Sequence, residues 1–447
     1  MPSHESSLET SKSQILESGP EFFNDLLSQI ESAQTSIIIK AFLWRNDECG
    51  NKIADAIKKA ADRGVSVMII KDRMGAFYEY SEGKGQSFFH DHPEQSSRIL
   101  DPNKLSTVHS QGRLMADFNG NEIEPLEDNP MRSDIVNHKN IEVIDDSKLY
   151  DHSKVIIIDR EVAYVGGIGM GDDFYTPGDD LYIDYMMKMQ DPEVCKELSK
   201  YLTNCFGERG QVGNIEFLGD DCLRQQGSSL HSAMIDFVDR TREKIQIEMG
   251  FLGNRDYIHA LSNAAKRGAD VFLTTSKKSN SNDKRNAHFL KTLQRMAGDS
   301  ADKLHYSLHP RTVHSKVALR DDEILTMGSH NWSAPAGTFE ETNLVTTDPT
   351  IIKQMQRHLE KHHEEGEQVV DMESWLKILP RSRPEWASMV VQKIMRQWRS
   401  KAIVSARYQC RQKFLDLSHK THNESQRRAS EDHLRERQKR LEAEAGE

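Results

Sequence analysis

Residues 53–72 read IADAIKKAADRGVSVMIIKD and residues 257–275 read YIHALSNAAKRGADVFLTT, and no property of the chain limits its fold more than this internal likeness. Each stretch spaces its apolar residues as a helix does, stops at Gly64 or Gly268, and then runs into a short β-branched segment suited to a buried strand. Upstream, residues 21–44 and 229–252 form a second matching pair of helix plus strand. Each half therefore reads helix, strand, helix, strand. Helices alternating with strands imply a mostly parallel or mixed sheet covered on both faces. The expected class is α/β, with two similar α/β/α lobes facing each other and a site between them.

Both halves then reach the same polar pattern. His152 to Gly167 reads HSKVIIIDREVAYVGG, and His314 to Ser329 reads HSKVALRDDEILTMGS. The spacing from Ala60 to His152 is 92 residues and that from Ala264 to His314 is 50, so the first half carries about 42 extra residues. These are placed within 75–138, a polar stretch punctuated by glycine and proline that suits either a lid or a plain surface insertion. The expected segments are a polar N-terminal piece 1–19, a first lobe 20–215, a second lobe 228–370 and a tail 381–447.

Composition narrows the partners. Residues 381–447 hold 16 Lys/Arg against 9 Asp/Glu, a tail of +7 on a body of −18. So acidic a body argues against a nucleic-acid substrate, whose phosphates call for a basic surface. The first 20 residues lack the basic start and apolar run of a secretory signal, and no stretch is long and apolar enough to span a bilayer. Cys49, Cys195, Cys205, Cys222 and Cys410 are scattered, without Cys-x-x-Cys spacing, so neither a disulfide framework nor a zinc site is expected. A reducing, cytoplasmic setting follows.

A histidine two residues from a lysine puts both side chains on one face of an extended strand. Neutral imidazole is a nucleophile near pH 7, and lysine is a fixed charge for phosphate oxygens. Two copies face to face place His152, Lys154, His314 and Lys316 around one anionic phosphorus. One histidine attacks in line while the other protonates the leaving oxygen and later deprotonates the incoming alcohol or water. The lysines neutralise charge that a metal would otherwise cover, so no metal or cofactor is expected.

These residues resemble the His-Lys-Asp signature of the phospholipase D superfamily, here His152, Lys154, Asp159 and His314, Lys316, Asp321. In that family each signature is followed by Gly-Gly or Gly-Ser and then an Asn. The second half matches in full through Gly328, Ser329 and Asn331; the first has Gly166 and Gly167, but Gly169 stands where the Asn would be. The resemblance implies a carboxylate behind each histidine, with Glu341 downstream of His314 and Asp184 downstream of His152. Glu340 competes with Glu341, and either acid also suits a strand-edge surface position. It further implies His152 as the nucleophile forming a phosphohistidine and His314 as general acid and base, although the near symmetry of the halves leaves the order open. Asp159 and Asp321, five positions beyond their lysines, are expected to brace strand ends and not to touch phosphate.

The first signature, VGGIGMGDDFY (165–175), and the segments FLWRNDECG and AADRGVSV are similar to the bacterial cardiolipin synthase group. The implied activity is phosphodiester transfer or hydrolysis on glycerophospholipids. A metal-independent nuclease of the same superfamily and a non-catalytic lipid-binding relative are the alternatives. Within 381–415, nine Lys/Arg face one acid while Trp386, Val390, Ile394, Trp398 and Ala402 recur every four residues. That stripe suits a basic amphipathic helix lying on anionic lipid, which makes the expected location cytoplasmic and peripheral to a membrane. Packing of the stripe on the acidic body, or capture by a calmodulin-like partner, are the other readings.

Overall fold

In the computed structural model the described residues are 13–72, 74–81, 86–90, 129–146, 151–203, 209–219, 229–278, 283–333 and 340–369. The tail 381–447, with its expected helix, and most of the insertion fall outside them.

Seven strands form the first sheet: β1 (Ser13–Glu17), β2 (Ser36–Ala41), β3 (Ser66–Asp72), β4 (Ile141–Asp146), β5 (Val155–Ile158), β6 (Val162–Gly166) and β7 (Tyr185–Met189). Their order is β1-β7-β6-β5-β2-β3-β4, with β2, β3 and β4 parallel and the rest antiparallel. The second sheet holds β8 (Arg209–Val212), β9 (Ile215–Gly219), β10 (Lys244–Met249), β11 (Asp270–Ser276), β12 (Leu304–His309), β13 (Lys316–Arg320), β14 (Ile324–Gly328), β15 (Thr342–Thr346) and β16 (Glu367–Gln368). Its order, β16-β12-β11-β10-β13-β14-β15-β9-β8, repeats the first around β10 and β13. The mixed α/β class and the two similar lobes expected from the repeat are what the chain adopts.

Two stretches sit elsewhere than the expected boundaries. Residues 13–17, read as part of a polar N-terminal piece, form an edge strand on β7, with Ile15 and Leu16 buried in the core. Residues 209–219, which straddle the expected end of the first lobe, join the second sheet, β9 pairing with β15 and β8 with β9.

The repeated Arg-Gly has a mechanical role. Arg63 donates to the carbonyls of Ile30 and Glu31 at the end of helix Pro20–Ser32 (3.1 and 2.8 Å), and Arg267 donates to Asp239 (2.7 Å) at the end of helix Ser229–Asp239. Each guanidinium thus satisfies carbonyls that a helix end leaves without partners. Gly64 and Gly268 follow, both at φ +97°, a left-handed conformation that glycine adopts without steric cost.

The sheets share one core. Val155, Ile157, Val165 and Met187 of the first lobe pack in one cluster with Val317, Leu319, Met327 and Leu344 of the second. The outer faces of the sheets are covered by helices over separate clusters. Strands buried on both faces read as unbroken apolar runs, as Val155–Ile158 does. Across the boundary, isolated parallel bridges join Asp151 to Glu340 and Ile183 to Val313.

Candidate active site

The cross-lobe bridges deliver the histidines. His152 lies just ahead of β5 and donates its backbone N–H to Glu340 O (2.8 Å), while the N–H groups of His314 and Ser315 both reach Ile183 O (2.8 and 2.9 Å). Main-chain bonds to the opposite lobe therefore set the position of each ring.

The carboxylates are exchanged between lobes. His152 Nδ1 lies 3.0 Å from Glu341 Oε2 and 3.2 Å from Ser329 O, and His314 Nδ1 lies 2.6 Å from Asp184 Oδ2. The expectation that each histidine takes the acid downstream in its own half is corrected: Glu341 serves His152 and Asp184 serves His314. Sequence proximity misleads because Asp184 and Glu341 stand just ahead of β7 and β15, next to the bridges that join the lobes, and face the partner lobe. Glu340, the competitor, contributes its carbonyl to His152 N.

Both lysines point inward and are buried. Lys154 and Lys316 each hydrogen-bond the carbonyl of their own histidine, and their ammonium groups lie 5.4 and 6.0 Å from the rings of Phe42 and Phe251. Lys316 is also 3.7 Å from Asp184 Oδ2.

Burial first, then Lys316, pushes His314 down to about 3; burial and Lys154 hold His152 well below its ordinary value. Both rings are neutral at pH 7, the form in which Nε2 is nucleophilic. Burial also lowers Lys154 to about 7 and Lys316 to about 8. The acids differ. Burial lifts Glu341 to about 8, whereas at Asp184 the opposing pull of burial is outweighed by Lys316 and the His314 hydrogen bond, which hold it below the usual carboxylate range. His314 thus has an ionised partner and His152 a partner held near neutrality.

The remaining predicted residues fall into place around this centre. Gly166 and Gly328 end β6 and β14 where a side chain would meet the backbone oxygens of Tyr185 and Thr342 at 2.1 and 2.3 Å. Ser329 Oγ accepts from Thr342 N (3.0 Å) behind Glu341, and Asn331 Oδ1 is buried without a hydrogen bond. Asp159 accepts from Gln34 N, Thr35 N and Ser36 N (2.8, 2.7 and 2.9 Å), and Asp321 from Arg242 N, Glu243 N and Lys244 N (3.1, 2.9 and 3.2 Å). Both brace the entry to β2 or β10, away from the histidines.

Gly167 and Gly169 carry the asymmetry. A Cβ at Gly167 would sit 2.3 Å from Asp184 Oδ1, and one at Gly169 would sit 3.0 Å from Phe174 and 3.3 Å from Leu43. Phe174 thus crowds the position where the second half carries Asn331, and its ring lies edge-on to His314 at 5.1 Å.

The aromatic walls were not legible as site residues. Phe42 lies 4.7 Å from His152, while Tyr182 and Phe251 lie 6.0 and 5.8 Å from His314. Phe42 and Phe251 follow the matched strands of the repeat, which was the available signal. Their loops are held by equivalent bonds from different residues. Lys71 donates to Phe42 O (2.7 Å) and Glu79 accepts from Trp44 N (2.5 Å), where Asn286 alone donates to Gly250 O and accepts from Leu252 N (2.9 Å each).

Two histidine–carboxylate pairs and two buried lysines thus converge between like lobes, one histidine and one lysine from each half of an internal duplication. A family model described as cardiolipin synthase, phospholipase D-like domain, matches residues 26–206 and 234–363. The chain belongs to that family and is an enzyme of the phospholipase D superfamily. It is 24% identical over 373 residues to cardiolipin synthase B of Salmonella typhimurium, covering 78% of this chain and 79% of that protein. With the major cardiolipin synthase of Bacillus subtilis the identity is 23% over 380 residues, covering 79% and 69%. The phosphatidylserine synthase of Haemophilus influenzae has the same fold, with a TM-score of 0.57 at 14% identity over 90% of this chain and 94% of that one.

Proposed function

We propose that the protein transfers a phosphatidyl group between alcohols through a phosphohistidine on His152, with cardiolipin synthesis from phosphatidylglycerol as the leading reaction. The observation that carries this reading is the crossed pairing of His152 with Glu341 and His314 with Asp184 around two buried lysines. In the first step His152 Nε2 forms a bond to phosphorus as the bond to the leaving oxygen breaks, and His314 delivers a proton to that oxygen. In the second, His314 takes the proton of the acceptor hydroxyl, the new P–O bond forms and the P–N bond breaks. Ionised Asp184 favours the doubly protonated state that His314 must visit, whereas His152, with a partner near neutrality, stays uncharged and nucleophilic. The incoming diester is an anion, so its arrival raises both imidazoles and both lysines.

The substrate class is supported by the names of the relatives and by the acidic body. Among the described residues no helix is long and apolar enough to cross a membrane, and residues 381–415 are assigned the peripheral contact with anionic lipid. The test is incubation with labelled phosphatidylglycerol in EDTA. Cardiolipin and free glycerol are the expected products, and quenching the parent enzyme into alkaline denaturant during turnover should trap label on His152, with none trapped in His152→Ala. Phosphatidic acid in place of cardiolipin would reassign the activity to hydrolysis, and label on His314 would reverse the roles.

A further inference from the structure

A second, buried cluster of charge lies behind the site, on the helix Pro349–Glu365. This helix straddles both lobes: Gln354 bonds the backbone of Ile15 on β1 through both ends of its amide (3.1 and 2.8 Å), while the same helix packs on β10, β11 and β12. Two turns on, His362 is fully buried. Its Nδ1 lies 2.8 Å from Glu248 Oε2 of the second lobe and 3.0 Å from Tyr185 Oη of the first, and its Nε2 lies 3.7 Å from Glu17 Oε1. Around it stand His358 on Glu17 (3.4 Å), Arg311 on Glu17 (3.9 Å) and His309 on Glu365 (3.3 Å).

Two partners of His362, Tyr185 and Glu248, each touch a residue of the site or its immediate neighbour. Tyr185 adjoins Asp184, and its N–H donates to Asp184 Oδ1 (2.8 Å). Glu248 Oε1 accepts from Ser315 Oγ (2.7 Å), and Ser315 stands between His314 and Lys316. Among the described residues the first lobe is arranged differently: Ser153, between His152 and Lys154, bonds Asp151, which pairs with Lys40. By the strand registers Lys40 is opposite Val155 as Glu248 is opposite Val317, so a cation in one half is replaced by an anion in the other. The acid at 248 then needs a cation, and His362 is placed to be it. Burial opposes charge on that ring, but Glu248 outweighs it and His362 is raised above its ordinary value.

We propose that His362 is a positioning residue: clamped between Glu248, Tyr185 and Glu17, it fixes the distance between β7, which Asp184 precedes, and the paired strands β10 and β13, the second of which His314 leads into. The inference rests on the reading of His314 as the general acid and base. Outer groups that orient a histidine or its acid are worth about 10- to 100-fold.

The test uses His362→Gln in the full chain. On phosphatidylglycerol micelles the variant should lose about 10- to 100-fold in kcat with KM within about twofold. With bis(p-nitrophenyl) phosphate, whose leaving group departs without a proton, the first-turnover burst of p-nitrophenol, which precedes the general-base step, should stay within about twofold of the parent in rate. The low-field proton resonance of the His314–Asp184 hydrogen bond, assigned by its loss in Asp184→Asn, should shift or broaden. That resonance decides the inference even if the parent enzyme turns over neither substrate, an outcome that would sink only the proposed function. An unchanged resonance, or equal losses on both substrates, would overturn the role of His362. If His362→Gln does not fold, Glu248→Gln, which removes the same clamp from the other side, is read by the same criteria.

Discussion

At the residue scale, the asymmetry of the two signatures resides in side chains that the glycines leave no room for. A serine at Gly167 would place its Cβ against the carboxylate of Asp184. Gly167→Ser should therefore displace Asp184 from His314 and lower kcat by about 100-fold, as loss of an orienting acid does. Gly169→Asn meets Phe174 and Leu43 and should destabilise the fold by about 1–3 kcal/mol through overpacking. Gly169→Asn should cost less in a Phe174→Ala background than in the parent, a coupling that thermal unfolding of the parent and the three variants would measure. Full stability in the single variant would show that Phe174 does not occupy the space.

The lysines set the pH dependence at the same scale. The ammonium form binds phosphate, and that form is present below the folded pKa and lost above it. With Lys154 at about 7 and Lys316 at about 8, kcat/KM should fall as pH rises through 7 to 8, because this parameter reports the free enzyme. Lys316→Arg, whose charge persists at all accessible pH, should lower the maximum but flatten the alkaline limb. An alkaline limb identical to that of the parent would remove Lys316 from the binding role.

Among elements, the hairpins β5–β6 and β13–β14 explain why the signature ends in aspartate. Asp159 and Arg160, and Asp321 and Asp322, all have φ near +55°, between 52 and 60°, as the two central residues of turns closed by Glu161 N–H on Ile158 O and Glu323 N–H on Arg320 O (3.0 Å each). Aspartate tolerates that conformation and its carboxylate gathers the backbone N–H groups before β2 or β10. Asp321→Ala leaves these donors without their acceptor and should cost about 1–3 kcal/mol. Burial would raise Asp321, but the backbone donors outweigh it and hold it below its ordinary value. Its contribution is therefore present above the unfolded value near 4 and lost as pH falls through the folded one. The stability difference between parent and Asp321→Ala should shrink in acid, measured by urea unfolding at pH 7 and pH 3.

For the whole molecule, the division of charge gives the tail prediction its form. A basic stripe attracts anionic lipid by about 1 kcal/mol per cation near the surface, screened by salt. Replacing Arg396, Arg399 and Lys401 with glutamine should weaken binding to vesicles rich in phosphatidylglycerol, with little change on neutral vesicles. Sedimentation at low and high salt measures both, and equal binding by parent and variant would assign the stripe to another partner.

The duplication, the α/β class, both His-x-Lys pairs and the bracing aspartates were legible in the chain because they depend on local periods, namely 3.6 for a helix, 2 for a strand and a fixed hairpin spacing. Which acid serves which histidine was not legible, because it depends on the Asp151–Glu340 and Ile183–Val313 bridges between lobes. The same holds for the edge strand at 13–17, Phe174 in the space beside Gly169, and His362 behind Glu248. Sequence determined what each half is made of, since local propensity and pattern act along the chain. Tertiary structure alone decided that each half completes the other's histidine–carboxylate pair, since that contact exists only once two sheets close on one shared core.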